Sequence, residues 1–350
     1  MSRELSHSLK QAVAQPPGIH AWQRVCRQLT RERAGRKQDL PYVQRLDQAL
    51  STWPVSIRVC PPAWSLSLLT GRDCPFPLIT RIVSIRWPAR SLRPVHARRI
   101  AHSPYLRRLH TLELVQAQHA EGLKPGIGPQ GACLLATSET LTGLRQLMLP
   151  NNRITDAGLA ALAASPVCHN LDSLDLSLCA ITQQGAAHLA APTCTMQLKT
   201  LRLANNRLGD RGCETLSRAI CLKDLRHLDL SGSHIGRKGA AKLAQAPYLR
   251  NLRSLNLAHN QVTDTGAELL LTSIHLPALR SLNLLNNRLT ALTARLLTKG
   301  GLLPGLKEIV VGKSEMGKGA DLLGSPASAR LGRKIQLQRT PAEGLADTET

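Results

Sequence analysis

The chain has 350 residues and a net charge of +22, set by 45 basic and 23 acidic side chains. Hydrophobic residues make up 43% and charged residues 19%, enough for a packed core and against wholesale disorder. Aromatics are only 2%, so the core must be filled by Leu, Ala, Ile and Val, which suits many thin, similar layers better than one thick globule.

Residues 1–79 read as a helical N-terminal cap. Trp22, Val25, Cys26 and Leu29 share one helix face, and Tyr42, Val43, Leu46 and Leu50 share another. Pro16, Pro17 and Pro41 break these segments, and a short helix at Ala63–Leu69 follows Pro61 and Pro62. Arg31, Arg33, Arg36 and Lys37 cluster after the Trp22 helix, and residues 1–108 carry a net +14. Thr80, Val83 and Ile85 are expected to form an early strand, and Leu109, Leu112 and Leu114 the next. The step from Leu109 to the following anchor, Leu144, is 35 residues, eight more than any later step. The excess lies around Glu121–Pro129 and reads as a loop insertion.

From there the chain repeats. Leu144, Leu171, Leu198, Leu225, Leu252, Leu279 and Leu306 are spaced by 27 residues, six times running. Three residues on stand Leu147, Leu174, Leu201, Leu228, Leu255, Leu282 and Ile309, and five on stand Leu149, Leu176, Leu203, Leu230, Leu257, Leu284 and Val311. Leu-x-x-Leu-x-Leu predicts a short strand with its Leu side chains on one side. Eight residues after the anchor comes a small polar column: Asn152, Cys179, Asn206, Ser233, Asn260 and Asn287. Asn there can bond the backbone groups left unpaired where the chain leaves the strand, and stacked copies form a ladder. Cys and Ser are weaker substitutes that still fit. Gly158, Gly185, Gly212, Gly239 and Gly266 then fall in the first turn of a helix, where a bare backbone can approach the next layer. Thr155 reads as a capping residue for such a helix.

These columns resemble the leucine-rich repeat family, most closely its ribonuclease-inhibitor-like class with long helical repeats. The resemblance covers roughly residues 80–323. It implies an α/β horseshoe solenoid of eight or nine coils, with parallel strands on a concave binding surface and helices on the convex side. The helical leader is faintly similar to N-terminal segments of some bacterial repeat proteins. Residues 324–350 have no lasting period and read as a flexible C-terminal tail.

No catalytic set stands out. Gly312–Gly319 has the spacing of a phosphate-binding loop, but Gly319 stands where Ser or Thr would hold magnesium, so a Gly/Lys turn is the better reading. The 12 His residues show no metal-ligand spacing. Cys168, Cys194 and Cys221 lie 26 and 27 residues apart and should stack on adjacent layers as buried thiols. Nine cysteines without a Cys-x-x-Cys pair fit a reducing compartment. With no secretion signal and no membrane-length apolar run, a cytoplasmic protein without cofactor or metal is expected.

What remains is a surface. Strand residues pointing away from the core give the column Glu113, Met148, Asp175, Arg202, Asp229, Asn256 and Asn283. Lateral pairing of alternating charges is the simple account of Asp175, Arg202 and Asp229. One residue after each anchor lies a mostly basic rim: His110, Arg145, Asp172, Lys199, Arg226, Arg253, Arg280 and Lys307. Like charges stacked this closely repel, so the rim is either a solvated face or the seat of an acidic partner. The function expected is a non-enzymatic protein-interaction scaffold. The alternative is binding of nucleic acid or an anionic surface through the basic N-terminal region.

Overall fold

The structure, a computed structural model, describes residues 6–32, 48–50, 84–89, 92–103, 106, 107, 109–116, 126–298, 302–313, 317 and 334–338. Two compact units divide the chain: Met1–Asn152 with Ser165–Leu171, and Arg153–Ala164 with Asp172–Thr350.

In the first unit, helix α1 (His7–Val13) starts where the Ser6 hydroxyl accepts the Leu9 N–H at 3.2 Å. Helix α2 (Ile19–Glu32) packs on it. Their shared core is Leu9, Ala12, Trp22, Val25, Cys26 and Leu29, all buried. The helices expected from Tyr42, Val43 and Leu46 and at Ala63–Leu69 lie outside the described residues, as do Arg33, Arg36 and Lys37. Strands β1 (Ser84–Ala89), β2 (Thr111–Gln116) and β3 (Gln146–Met148) run parallel, with helices α3 (Pro94–Ala101) and α4 (Gly128–Ala136) between them. Pairing of Ser84 with Thr111 keeps the 27-residue stride, so Ile85 lies opposite Leu112. The early strand is therefore two residues later in register than Thr80, Val83 and Ile85 imply. Thr111 pairs with Gln146, which places the eight extra residues between β2 and β3.

The second unit is regular. Helix α5 (Thr155–Ala163) leads into β4 (Ser173–Asp175), α6 (Gln183–Ala190), β5 (Thr200–Arg202), α7 (Gly209–Leu216), β6 (His227–Asp229), α8 (Arg237–Ala244), β7 (Ser254–Asn256), α9 (Asp264–Leu271), β8 (Ser281–Asn283), α10 (Ala291–Thr298) and β9 (Glu308–Gly312). All these strands are parallel, and Leu174, Leu201, Leu228, Leu255, Leu282 and Ile309 form one cross-strand row. Each residue of that row is at most 2% exposed. Burying one such side chain contributes about 1.5–3 kcal/mol before entropy is counted, so the row and its partner row, Leu176 to Val311, hold the coils in register.

The polar column closes each turn. Asn206 Oδ1 accepts the N–H groups of Cys179 (3.1 Å) and Ile181 (2.9 Å), while its Nδ2 donates to the carbonyls of Leu176 and Leu203, both at 2.9 Å. Asn260 does the same for Ser233, Ile235, Leu230 and Leu257, and Asn287 for Val262, Leu257 and Leu284. In the first unit Asn152 accepts from Ile127 and donates to Leu114 and Pro150. Cys179 and Ser233 are fully buried in the same column, and the Ser233 hydroxyl donates to the Leu203 carbonyl at 3.2 Å.

Three features depart from the sequence reading. Thr155 does not cap its own helix: it sits at φ 59°, and α5 has no side-chain cap. Instead, Asp156, Asp210 and Asp264, spaced by 54 residues, each bond the start of the helix one coil later. Asp156 takes the Thr182 N–H (2.8 Å) and hydroxyl (2.6 Å), Asp210 the N–H groups of Gly236 (2.7 Å) and Gly239 (2.8 Å), and Asp264 those of Thr290 (2.8 Å) and Thr293 (3.1 Å). The repeat is thus a pair of coils, one giving a carboxylate and the next receiving it. Second, the residue seven after each anchor is left-handed throughout: Asn151, Leu178, Asn205, Gly232, His259 and Asn286 have φ between 53° and 63°. Third, within the stretch read as a tail, Lys334–Gln338 forms strand β10, parallel to β9, with Ile335 opposite Ile309 and Leu337 opposite Val311.

Candidate functional site

The backbone positions the basic rim. Along the edge where the strands of the second unit begin, each rim carbonyl accepts two N–H groups from the next coil. Asp172 receives Lys199 and Thr200, Lys199 receives Arg226 and His227, Arg226 receives Arg253 and Ser254, Arg253 receives Arg280 and Ser281, and Arg280 receives Lys307 and Glu308, all at 2.7–3.0 Å. The side chains of successive coils therefore emerge about one strand spacing apart, roughly 4.8 Å.

Their partners differ. Lys199 Nζ lies 2.6 Å from Asp172 Oδ1, so the first members of the row neutralise each other. Arg226, Arg253, Arg280 and Lys307 are exposed, and among the described residues they have no ion pair. Among the described residues these four cations stand in a line and give the strand edge of this unit a one-sided positive charge. In the first unit, Arg145 is also exposed, and it donates to the Asn170 carbonyl at 3.2 Å.

On the sheet face away from the helices, the central column is partly committed to its own turns. Asp175 Oδ1 accepts the N–H (2.9 Å) and hydroxyl (2.7 Å) of Ser177, and Asp229 Oδ1 those of Ser231 (3.0 and 2.7 Å). Asn256 accepts the Ala258 N–H at 3.1 Å and Asn283 the Leu285 N–H at 3.0 Å. Arg202 leans to one side, with NH1 3.9 Å from Asp175 Oδ2. Lateral charge pairing is thus made on one flank of Arg202, while Asp229 spends its oxygen on Ser231. Around this column lie the small hydroxyls of Ser173, Thr200, Ser254 and Ser281. In the first unit Glu113 and Met148 hold the equivalent positions on β2 and β3, half-buried and opposite one another.

The helical side is arranged differently. Glu214 bonds Arg218 NH2 at 3.0 Å and Lys242 Nζ at 3.2 Å, and the Lys242 contact, foremost, holds its carboxyl below the usual range. Burial acts to raise the pKa of Asp264, but hydrogen bonds from Thr293 and Thr290 outweigh it and leave the net shift downward. Among the described residues no group of three or more His, Cys, Asp or Glu side chains is placed to hold a metal ion. Nor is any helix there long and apolar enough to cross a membrane. The Gly312–Gly319 stretch falls largely outside the described residues.

The carboxylate column Asp156, Asp210 and Asp264 went unread in the sequence, though its signal is there: Thr-Asp-x-Gly or Gly-Asp-x-Gly returns at every second coil, beginning at Thr155, Gly209 and Thr263.

Family models match the repeating coils. A model described as Leucine Rich repeat matches residues 142–163, 167–190, 196–217 and 222–244, and one described as Leucine Rich repeats (2 copies) matches residues 250–312. No curated protein matches the chain. Among solved structures, the chain is similar to one in the crystal structure of the Rad7 and Elc1 complex in yeast, at 15% identity and a TM-score of 0.49, covering 77% of this chain and 70% of that one. It is also similar to an internalin from Listeria monocytogenes, at 18% identity and a TM-score of 0.40, covering 77% of this chain and 60% of that one. The constant stride, the parallel strands alternating with helices, the asparagine ladder and the family models together make residues 142–312 a run of leucine-rich repeats.

Proposed function

We propose that the protein is a non-enzymatic interaction scaffold, acting in the cytoplasm, whose protein partner is acidic. The partner docks on the strand-start edge of the second unit, over Arg226, Arg253, Arg280 and Lys307. It extends onto the sheet face at Arg202, Asp229, Asn256 and Asn283. The observation that carries this reading is the row of four exposed cations without an ion pair among the described residues. With no ion pair to these cations among the described residues, the row's mutual repulsion is relieved when negative charge is brought against it. Lys199 is the weakest contributor because Asp172 already neutralises it. The small hydroxyls on the sheet face let a partner backbone approach closely.

The test compares the full chain with its Arg226→Glu, Arg253→Glu, Arg280→Glu triple variant. Wild type, immobilised, should retain a protein partner whose capture falls as salt rises, and the variant should lose it at every salt concentration. Equal capture by both forms overturns the assignment of the edge. Retention of single-stranded nucleic acid by both forms, with no protein captured, would favour the basic N-terminal region instead.

A further inference from the structure

Cys194 and Cys221 occupy one column of adjacent coils, each 23 residues after its anchor, Leu171 and Leu198. Both lie in turns that lead into neighbouring paired strands, each four residues before the next anchor, Leu198 and Leu225; those strands stand about 4.8 Å apart at the sheet, and a disulfide spans roughly 4.4–6.8 Å between Cα atoms. The two side chains lie close enough to interact. Their environments differ. Cys221, in the turn Ile220–Leu222, is 8% exposed, and its Sγ lies 2.9 Å from the Leu189 carbonyl oxygen. Cys194 is half-exposed, in a turn closed by its N–H on the Ala191 carbonyl at 3.0 Å. In the next two coils the column holds Tyr248 and His275, so the pair belongs to these two coils within the regular run.

The chemistry follows from this asymmetry. Its interaction with Cys221, reinforced by the Met196 backbone, outweighs burial and brings Cys194 down to about 7. The same contact, with burial, pushes the Cys221 thiol up. The accessible sulfur is thus drawn toward the thiolate, and the sheltered one is held toward the protonated form beside it.

We propose that Cys194 and Cys221 are a peroxide-responsive modification site that closes into a disulfide linking two successive coils. The Cys194 thiolate attacks one oxygen of hydrogen peroxide; the S–O bond forms, the O–O bond breaks, and the departing hydroxide takes a proton to become water. Cys221 then attacks the Cys194 sulfenic sulfur; the S–S bond forms, the S–O bond breaks, and hydroxide leaves with the Cys221 proton as a second water. Two thiols are oxidised by two electrons, and peroxide is reduced to two waters. The bond ties the coil that starts at Leu171 to the one that starts at Leu198.

The experiment uses the full reduced chain, exposed to hydrogen peroxide at pH 7, alkylated, digested without reductant and read by mass spectrometry. Expected is a linked Cys194–Cys221 peptide, two hydrogens lighter than its parts and reversed by dithiothreitol, formed before exposed Cys133 is oxidised. The oxidised chain should melt at a higher temperature than the reduced one, because the closed loop constrains the unfolded state. In Cys221→Ser the link is lost and Cys194 accumulates as a sulfenic acid that dimedone traps. The reduced variant's circular dichroism, unchanged from wild type, checks its fold. Oxidation of Cys133 while Cys194 and Cys221 stay thiols, or linkage of Cys194 to any other cysteine, overturns the proposal.

Discussion

Two stripes of the second unit run side by side through the same coils, and they spend polar chemistry in opposite ways. At the strand ends, Asn206 and Asn260 are buried, and each makes at least four hydrogen bonds to backbone groups of its own coil and the preceding one. At the strand starts, Arg226, Arg253 and Arg280 are exposed and unpaired among the described residues. Both stripes recur at the 27-residue stride, so recurrence alone does not tell a structural column from a surface that a partner reads. Burial and satisfied hydrogen bonding do. A polar group inside must be bonded or it costs the fold, whereas a polar group outside is free to wait for another molecule.

The sharpest way to break this contrast is at the ladder. Asn206→Ala should destabilise the unit by about 3 kcal/mol, because backbone groups of Leu176, Cys179 and Ile181 are left buried and unpaired. Urea unfolding reads it, and a midpoint shift no larger than that of an exposed substitution would mean water replaces the side chain. Next is the left-handed column. Leu178 holds φ 57° where other coils place Asn, Gly or His, so Leu178→Asn should stabilise by about 1 kcal/mol, visible as a raised melting temperature.

A smaller effect belongs to Asp264, whose folded pKa lies below its ordinary value of 3.8. A depressed carboxylate contributes stability above 3.8, and that contribution is lost as pH falls through the folded value. Stability measured from pH 6 down to pH 2 should therefore drop less steeply in Asp264→Asn than in wild type. Solvent screening at this partly exposed site keeps the difference under about 1 kcal/mol. Smallest of all, Arg253→Gln should change stability by a few tenths of a kcal/mol at most, in the stabilising direction, since it relieves repulsion from Arg226 and Arg280. A loss there of the size expected for Asn206→Ala would place the basic rim inside the fold and sink the contrast.

Much of the fold was legible because its strongest signals are aliphatic and local. Leu174 and Leu201 announce strands by position, and both are buried where their columns require. The signals that escaped cross between coils. Thr155 looks like a helix cap in its own neighbourhood, yet the contact that matters is Asp156 reaching Thr182, 26 residues away. Strand β10 was hidden because its register, Lys334 beside Glu308, is a step of 26 rather than 27, with only Ile335 and Leu337 as aliphatic markers. The candidate edge was visible as a column of charge, but not which members would be spent.

By itself the sequence determined the stride, the strands and the buried Leu rows, because side chains that alternate faces and recur every 27 residues can reach one common core only by stacking in register. The tertiary structure alone decided which cations stay unpaired. Lys199 meets Asp172 and Arg145 meets the Asn170 carbonyl, while among the described residues Arg226, Arg253 and Arg280 form no ion pair. Coulombic pairing depends on a few ångströms between side chains brought together from different coils, a distance that no pattern along the chain records.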